Sequence, residues 1–161
     1  MKPEELERFL LTLGETPDRF LQITQALDQR ALMWKPSPEA WSILENVCHL
    51  RDIEAEGNNI RIEKLLTEEQ PHLADVDGSQ LARARDYNAQ DLGAALRDFQ
   101  GARARSLQLL KGIKPAALER EGDLETIGRI TLEGLLLRMV EHDRAHLDEV
   151  TQLLDLLAEE K

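Results

Sequence analysis

Apolar side chains recur every three or four residues along four stretches of this chain, the spacing that lines one face of an α-helix. Leu6, Phe9, Leu10 and Leu13 open the series, and Phe20, Ile23, Thr24 and Leu27 continue it. Gly14 and Thr16-Pro17 fall between the two groups. Residues 4–29 therefore read as one helix kinked near Gly14–Pro17, or as two short ones with Thr16 as cap and Pro17 at a first helical position. The prolines of Trp34-Lys35-Pro36-Ser37-Pro38 break the pattern. A second helix is predicted over roughly 40–67, and a third over 89–112 with Asp86 or Asn88 as its cap. The fourth starts at Leu132, capped by Thr131, and runs through Leu157. Residues 68–87 show little periodicity, and Gly112, Pro115 and Gly122 mark a second long connection up to Ile130. A crossover as long as the first joins two parallel helices of a bundle. The expected fold is all-α: a four-helix bundle in up-down-down-up order, one domain over residues 1–161, with helices 2 and 4 antiparallel.

The stripe of the fourth helix reads Leu132, Leu135, Met139, His142, His146, Val150, Leu153 and Leu157. Two histidines thus occupy inward positions where leucines are expected. Burying imidazoles costs free energy unless their nitrogens find partners, and one metal ion satisfies both at once. On the second helix Glu45, His49, Asp52, Glu56 and Glu63 share a narrow strip, with Trp41 and Cys48 on one side and Leu50, Ile53 and Ile60 on the other. Arg51, Glu54 and Arg61 point away from it. A polar strip with apolar banks is the lining of a cleft rather than a solvated face. His49 is therefore the candidate third ligand. At 1.5 Å rise per residue it lies ~12 Å from the start of its helix and His146 ~20 Å from the end of its own, so the last turn must overhang by about 8 Å to level them.

Three neutral imidazoles hold a divalent ion and leave positions open for water or substrate, as catalytic sites do. Zinc or nickel suits three nitrogens, with iron or manganese also admissible. Asp52, three residues after His49, is a candidate helper: an acceptor orienting an imidazole, a general base, or a plain helix-surface partner. The motif H-E-x-x-H is absent because Asp143 follows His142, which removes the general base of a zinc peptidase. Arg103 interrupts the third apolar series and reads as a snorkelling side chain. Cys48 and Trp41 read as packing residues, Glu45 and Glu56 as solvated or paired, and His72 as surface.

Composition narrows the classes. Of 161 residues 42% are apolar and only 4% aromatic, a balance that favours helices. A net charge of −11 repels nucleic-acid phosphates and anionic lipid, so neither partner is expected. The single cysteine, the absence of a ~20-residue apolar run and the acidic start Met1-Lys2-Pro3-Glu4-Glu5 lead to an expected cytoplasmic location.

The stretch from Trp41 to Glu54, W-S-I-L-E-N-V-C-H-L-R-D-I-E, resembles the W-S-x-x-E-x-x-x-H-L-x-D-x-E signature of DinB-like proteins. Glu141-His142-Asp143-Arg144-Ala145-His146-Leu147 resembles the H-D-x-x-H of that family's last helix, and Trp34-Lys35-Pro36 and the arginine of the third helix also fit. The resemblance implies an up-down-down-up bundle, a homodimer, and a divalent metal, often nickel or zinc, held by His49, His142 and His146. It implies a small-molecule substrate and one of two activities: metal-dependent hydrolysis, or transfer of a low-molecular-weight thiol to a small electrophile. The competing expectation is a non-catalytic bundle that acts by dimerisation or partner binding, its metal structural or absent.

Overall fold

The computed structural model describes residues 1–160. Four long helical rods form the bundle: α1 (Pro3–Thr24), a second rod made of α3 (Ile43–Asp52) and α4 (Asn59–Thr67), α6 (Leu92–Leu110) and α7 (Leu132–Glu159). Short helices α2 (Gln29–Met33) and α5 (Gly78–Ala84) lie in the connections. Side-chain pairings give the directions. Asn46 meets His146 and His49 meets His142, so α3 and α7 are antiparallel. Cys48 meets Gln90 and Asn59 meets Ser106, so the second rod and α6 are parallel. Leu13 meets Arg103 and Asp18 meets Gln100, so α1 opposes α6. This is the expected up-down-down-up order.

Several local expectations are corrected. The first helix is not divided into two and does not reach residue 29; α1 is continuous from Pro3 to Thr24 with Pro17 inside it. A proline in a helix leaves the carbonyl four residues earlier without its N–H. That carbonyl belongs to Leu13, and Arg103 Nη1 donates to it at 2.7 Å. Thr16 is no cap; its hydroxyl donates to the Thr12 carbonyl. The cap of α6 is Asp91, whose side chain accepts from Ala94 N, rather than Asp86 or Asn88. The connections are not wholly irregular either. They supply a three-stranded sheet of β1 (His72–Leu73), β2 (Glu121–Leu124) and β3 (Gly128–Thr131), with β1 parallel and β3 antiparallel to β2. Strands of two to four residues carry too little alternation to be seen in sequence. Gly122 is required where β2 meets β1, since a Cβ there would lie 2.9 Å from the Pro71 carbonyl oxygen.

The second rod is interrupted by a π-helical turn at Ile53–Asn58. The additional residue in that turn shifts the phase of everything after it. Glu54 and Arg61, expected on the far side, are buried, while Glu56, Ile60 and Glu63 face solvent. The inward strip therefore holds only for its first part.

Two apolar clusters fill the bundle. One, near the sheet, contains Leu6, Leu13, Ile62, Leu65, Leu110 and Leu135. The other contains Phe20, Ile43, Val47, Leu50, Phe99 and Val150. Between them, on all four rods, lies a polar layer. Arg103, only 2% exposed, donates through Nη1 and Nη2 to Asp143 at 2.6 and 3.0 Å and through Nη2 to Glu54 at 3.2 Å. Burial disfavours the charge of Arg103, but Glu54 and Asp143 more than compensate and its pKa is raised. It is a buried ionic clasp, not a snorkelling side chain. Glu54 also accepts from Asn58 Nδ2 and Ser106 Oγ, and Asn59 Nδ2 donates to Ser106 Oγ. No helix among the described residues is long and apolar enough to cross a membrane.

Candidate metal centre

α3 begins with a capping box. Ser42 Oγ accepts from Glu45 N, and Glu45 Oε2 accepts from Ser42 N. Glu45 is thus buried and engaged, with Lys35 as its ion-pair partner at 3.2 Å. Every residue from Ser42 to Leu50 is buried, so this first half of the second rod is held on all sides. His49 stands at its inner face. Opposite, α7 presents His142 and His146 one turn apart.

The three imidazoles converge. His142 Nε2 lies 3.0 Å from His49 Nε2 and 3.1 Å from His146 Nε2, and one nitrogen from each ring lies within 4.8 Å of the others. The required overhang exists, because α7 continues to Glu159; Lys161, last of the tail expected to supply it, lies outside the described residues. Protons explain why this arrangement suits a cation. Asn46 Nδ2 donates to the Ser42 carbonyl, which turns Asn46 Oδ1 toward His146 Nδ1 at 2.6 Å. His146 therefore carries its proton on Nδ1 and offers a lone pair at Nε2. Three ring nitrogens pointing at one spot cannot all be satisfied by N–H···N bonds, whereas one divalent ion accepts all three lone pairs. His49 Nδ1 is buried without a hydrogen-bond partner among the described residues. Its ring packs against Gly78, where a Cβ would lie 2.5 Å from Cε1 and 2.6 Å from Nδ1.

Electrostatics keep the rings in the ligating form. Burial, reinforced by the neighbouring imidazoles, pushes the pKa of His49 down to about 3, and burial followed by the influence of His142 brings His146 to about 4. His142 is lowered by burial as well. All three are neutral at pH 7. Trp41 is more than packing near a helix start. Its indole is stacked with His146 at 6.1 Å and 17°, and lies 4.7 Å from the His49 ring.

Asp52 does not serve this cluster. Its Oδ1 accepts from Arg51 Nε at 2.7 Å, and its Oδ2 accepts from Arg85 Nη1 at 2.8 Å and from Tyr87 Oη at 2.6 Å. Burial would raise its pKa, but these donors outweigh burial and hold it below the usual carboxylate value. A carboxylate so satisfied neither orients an imidazole nor accepts a proton readily, so the helper role expected for it is corrected to a tie between α3 and the crossover. Cys48 is buried, and burial pushes its thiol up to about 11, which makes it inert. His72 is exposed and pairs with Glu125.

The rings of His49 and His142 form part of the wall of a cavity of ≈ 210 Å³. Its apolar lining includes Leu124, Ile127, Leu135 and Met139, and its charged lining is Arg61, Asp75 and Arg138. Sequence reasoning missed Asn46, although it lies three residues before His49 and so on the same helical face. It also missed Gly78 and the hairpin wall, which no local pattern announces.

Known proteins share this architecture. YfiT from Bacillus subtilis, whose solved structure is described as that of a probable metal-dependent hydrolase with an unusual four-helix bundle topology, matches with a TM-score of 0.90 at 24% identity. The match covers 98% of this chain and 90% of that one. A protein of Bacillus pumilus (strain SAFR-032) named "Putative metal-dependent hydrolase" is 24% identical over 155 residues, which span 94% of this chain and 86% of its own. Residues 12–150 match the model of the DinB superfamily, and the chain belongs to that superfamily.

Proposed function

We propose that this protein is a metal-dependent hydrolase of small molecules, with His49, His142 and His146 as the ligands of a nickel or zinc ion. The observation that carries the reading is the convergence of three imidazoles, at 3.0 and 3.1 Å, with the rings of His49 and His142 in the wall of a cavity. A structural ion is enclosed by four protein ligands, whereas three ligands beside a cavity leave room for a substrate. That favours catalysis over the non-catalytic reading. The name of the Bacillus pumilus relative supports hydrolysis. Held by His49, His142 and His146, a divalent ion would supply Lewis acidity for a carbonyl and for a bound water or thiol.

The chain's own residues do the rest. Asn46 fixes the tautomer and the angle of His146. Gly78 and Trp41 confine the His49 ring. Burial keeps all three rings unprotonated. The hairpin between β2 and β3 contributes Leu124, Thr126 and Ile127 to the cavity wall. We place the protein in the cytoplasm and treat the homodimer as part of the same proposal.

Metal analysis of untagged protein tests the site. About one ion per chain is expected in the wild type, with a loss of tenfold or more in His49→Ala and His146→Ala. Unchanged metal content in both variants refutes it. Loaded protein is then assayed for ester and amide hydrolysis and, in parallel, for thiol conjugation to small electrophiles. Conjugation without hydrolysis replaces water by a thiol as the nucleophile.

A further inference from the structure

The cavity beside the metal centre is charged in an uneven way. Arg61 is buried, and its guanidinium is occupied: Nε and Nη2 donate to the Ala74 carbonyl, and Nη2 lies 3.5 Å from Asp75 Oδ1. Asp75 Oδ1 also accepts from Val76 N. These two side chains cancel each other's charge and hold the crossover against the second rod. Arg138 is different. It lines the same cavity, is exposed, and has no ion pair or hydrogen bond to a side chain or carbonyl among the described residues. It sits four residues before His142 on α7, so the two share one face about 6 Å apart along the axis. The same wall carries apolar Leu124, Ile127, Leu135 and Met139 beside the polar Asn58 and Thr126.

An unpaired guanidinium in the wall of a small, partly apolar cavity, one helical turn from a metal ligand, is a receptor for an anion. Its planar fork of donors matches a carboxylate or a phosphate-type group. The location is notable in a chain of net charge −11, whose surface otherwise disfavours anions. The cavity is also small. Its ≈ 210 Å³ falls below the ~300–1,000 Å³ of sites for drug-sized ligands. We propose that Arg138 is the specificity-determining residue of this site, and that the substrate is a compact molecule whose reacting carbonyl or thiol lies at the histidine cluster and whose anionic group, a carboxylate or a phosphate-type group, pairs with Arg138 about one helical turn away. This rests on the reading of the cluster as a metal-dependent active site. It deepens that reading by naming the class of substrate. The apolar wall sets the spacer between the two ends as a short hydrocarbon.

Three probes of similar length test it by calorimetry on the zinc-loaded protein: succinamate, 3-phosphonopropanamide and the neutral succinamide. The wild type is expected to bind at least one of the two anions about tenfold more tightly than succinamide, the scale of one charge-assisted pair. The anion with the larger preference identifies the source of the charge. In Arg138→Gln the preference falls to about onefold while succinamide binding is unchanged. Because Arg138 is exposed and unpaired, the variant is expected to keep the wild-type melting temperature and zinc content, both measured on the same samples. Equal binding of all three probes by the wild type, failure of the anions to bind, or an anion preference that survives in Arg138→Gln overturns the proposal. Loss of zinc from the wild type instead overturns the metal-centre reading, so the two failures are distinct.

Discussion

Replacing Arg103 by Met keeps an unbranched stem of similar length and removes only the charge and its donors. Four hydrogen bonds go with it: two to Asp143 at 2.6 and 3.0 Å, one to Glu54 at 3.2 Å and one to the Leu13 carbonyl at 2.7 Å. Three of these join charged partners, each worth ~1.5–3 kcal/mol, and the desolvation of the guanidinium, several kcal/mol, is recovered. What remains is the cost of two carboxylates buried without their counter-charge. Glu54 retains Asn58 and Ser106, but Asp143 keeps no side-chain donor among the described residues. The net loss is about 3–5 kcal/mol, the range for breaking a buried pair from one side. Against a total of ~5–15 kcal/mol this is a large fraction, and at roughly 2–4 °C per kcal/mol it lowers the melting temperature by about 10 °C. Urea unfolding of metal-free wild type and Arg103→Met at pH 7 measures it. Adding Glu54→Gln and Asp143→Asn to Arg103→Met removes the stranded charges and restores most of the loss. A loss below about 1 kcal/mol at pH 7, or no recovery in the triple variant, refutes the account of this layer as a charge clasp.

Three further outcomes follow from the metal centre. Gly78→Ala places a Cβ 2.5 Å from His49 Cε1, so the ring must move; metal affinity falls tenfold or more while the melting temperature of the metal-free protein changes little, and unchanged affinity refutes the contact. Asn46→Ala removes the acceptor for His146 Nδ1–H and is expected to weaken metal binding ~10–100-fold in a chelator competition, with no effect counting against the tautomer assigned here. In the metal-free protein, His49 near 3 and His146 near 4 remain neutral where the unfolded chain, with histidines near ~6.5, takes up protons. Stability therefore falls as pH drops from ~6.5 toward ~4, by up to ~1.4 kcal/mol per pH unit for each histidine. His49→Gln lessens that slope in a pH series of melting curves, and a melting temperature independent of pH in the wild type refutes the shift.

The bundle was legible because four amphipathic periodicities are long and each has turn residues at its ends. The histidine pair of α7 was legible for the same reason, since four residues is one helical turn. His49 required a second helix to be read in phase with the first, and the phase held because α3 is regular up to Asp52. Beyond it the phase failed, and with it the placement of Glu54 and Arg61, because Gly57 and Asn58-Asn59 signal a distortion of this helix but not an additional residue per turn. Arg103 looked like a surface interruption because its partners, Leu13, Glu54 and Asp143, come from three other rods. Asp52 was misjudged for a related reason. Spacing places it beside His49, but Arg85 and Tyr87 of the crossover claim it. The sheet and the cavity wall arise from the connections: β2 and β3 form a hairpin too short to show alternation, and β1 joins it across about 50 positions, as with Leu73 and Leu124.

The π-helical turn at Ile53–Asn58 acts as a joint between two rods of different duty. Before it, α3 presents His49 and Asn46 to α7; after it, α4 presents Asn59, Ile62 and Leu65 to α6 and the sheet end of the core. Winding all six residues as regular α-helix, at about 100° per residue, would turn α4 by roughly 100° relative to α3. Ile62 and Leu65 would then swing out of the core, or His49 away from its partners. The wider winding of this six-residue segment is therefore what keeps both halves of the rod facing inward. Substitutions at exposed Ala55 or Glu56 are tolerable, whereas rewinding the segment as α-helix at its present length would uncouple metal binding from folding of the other half.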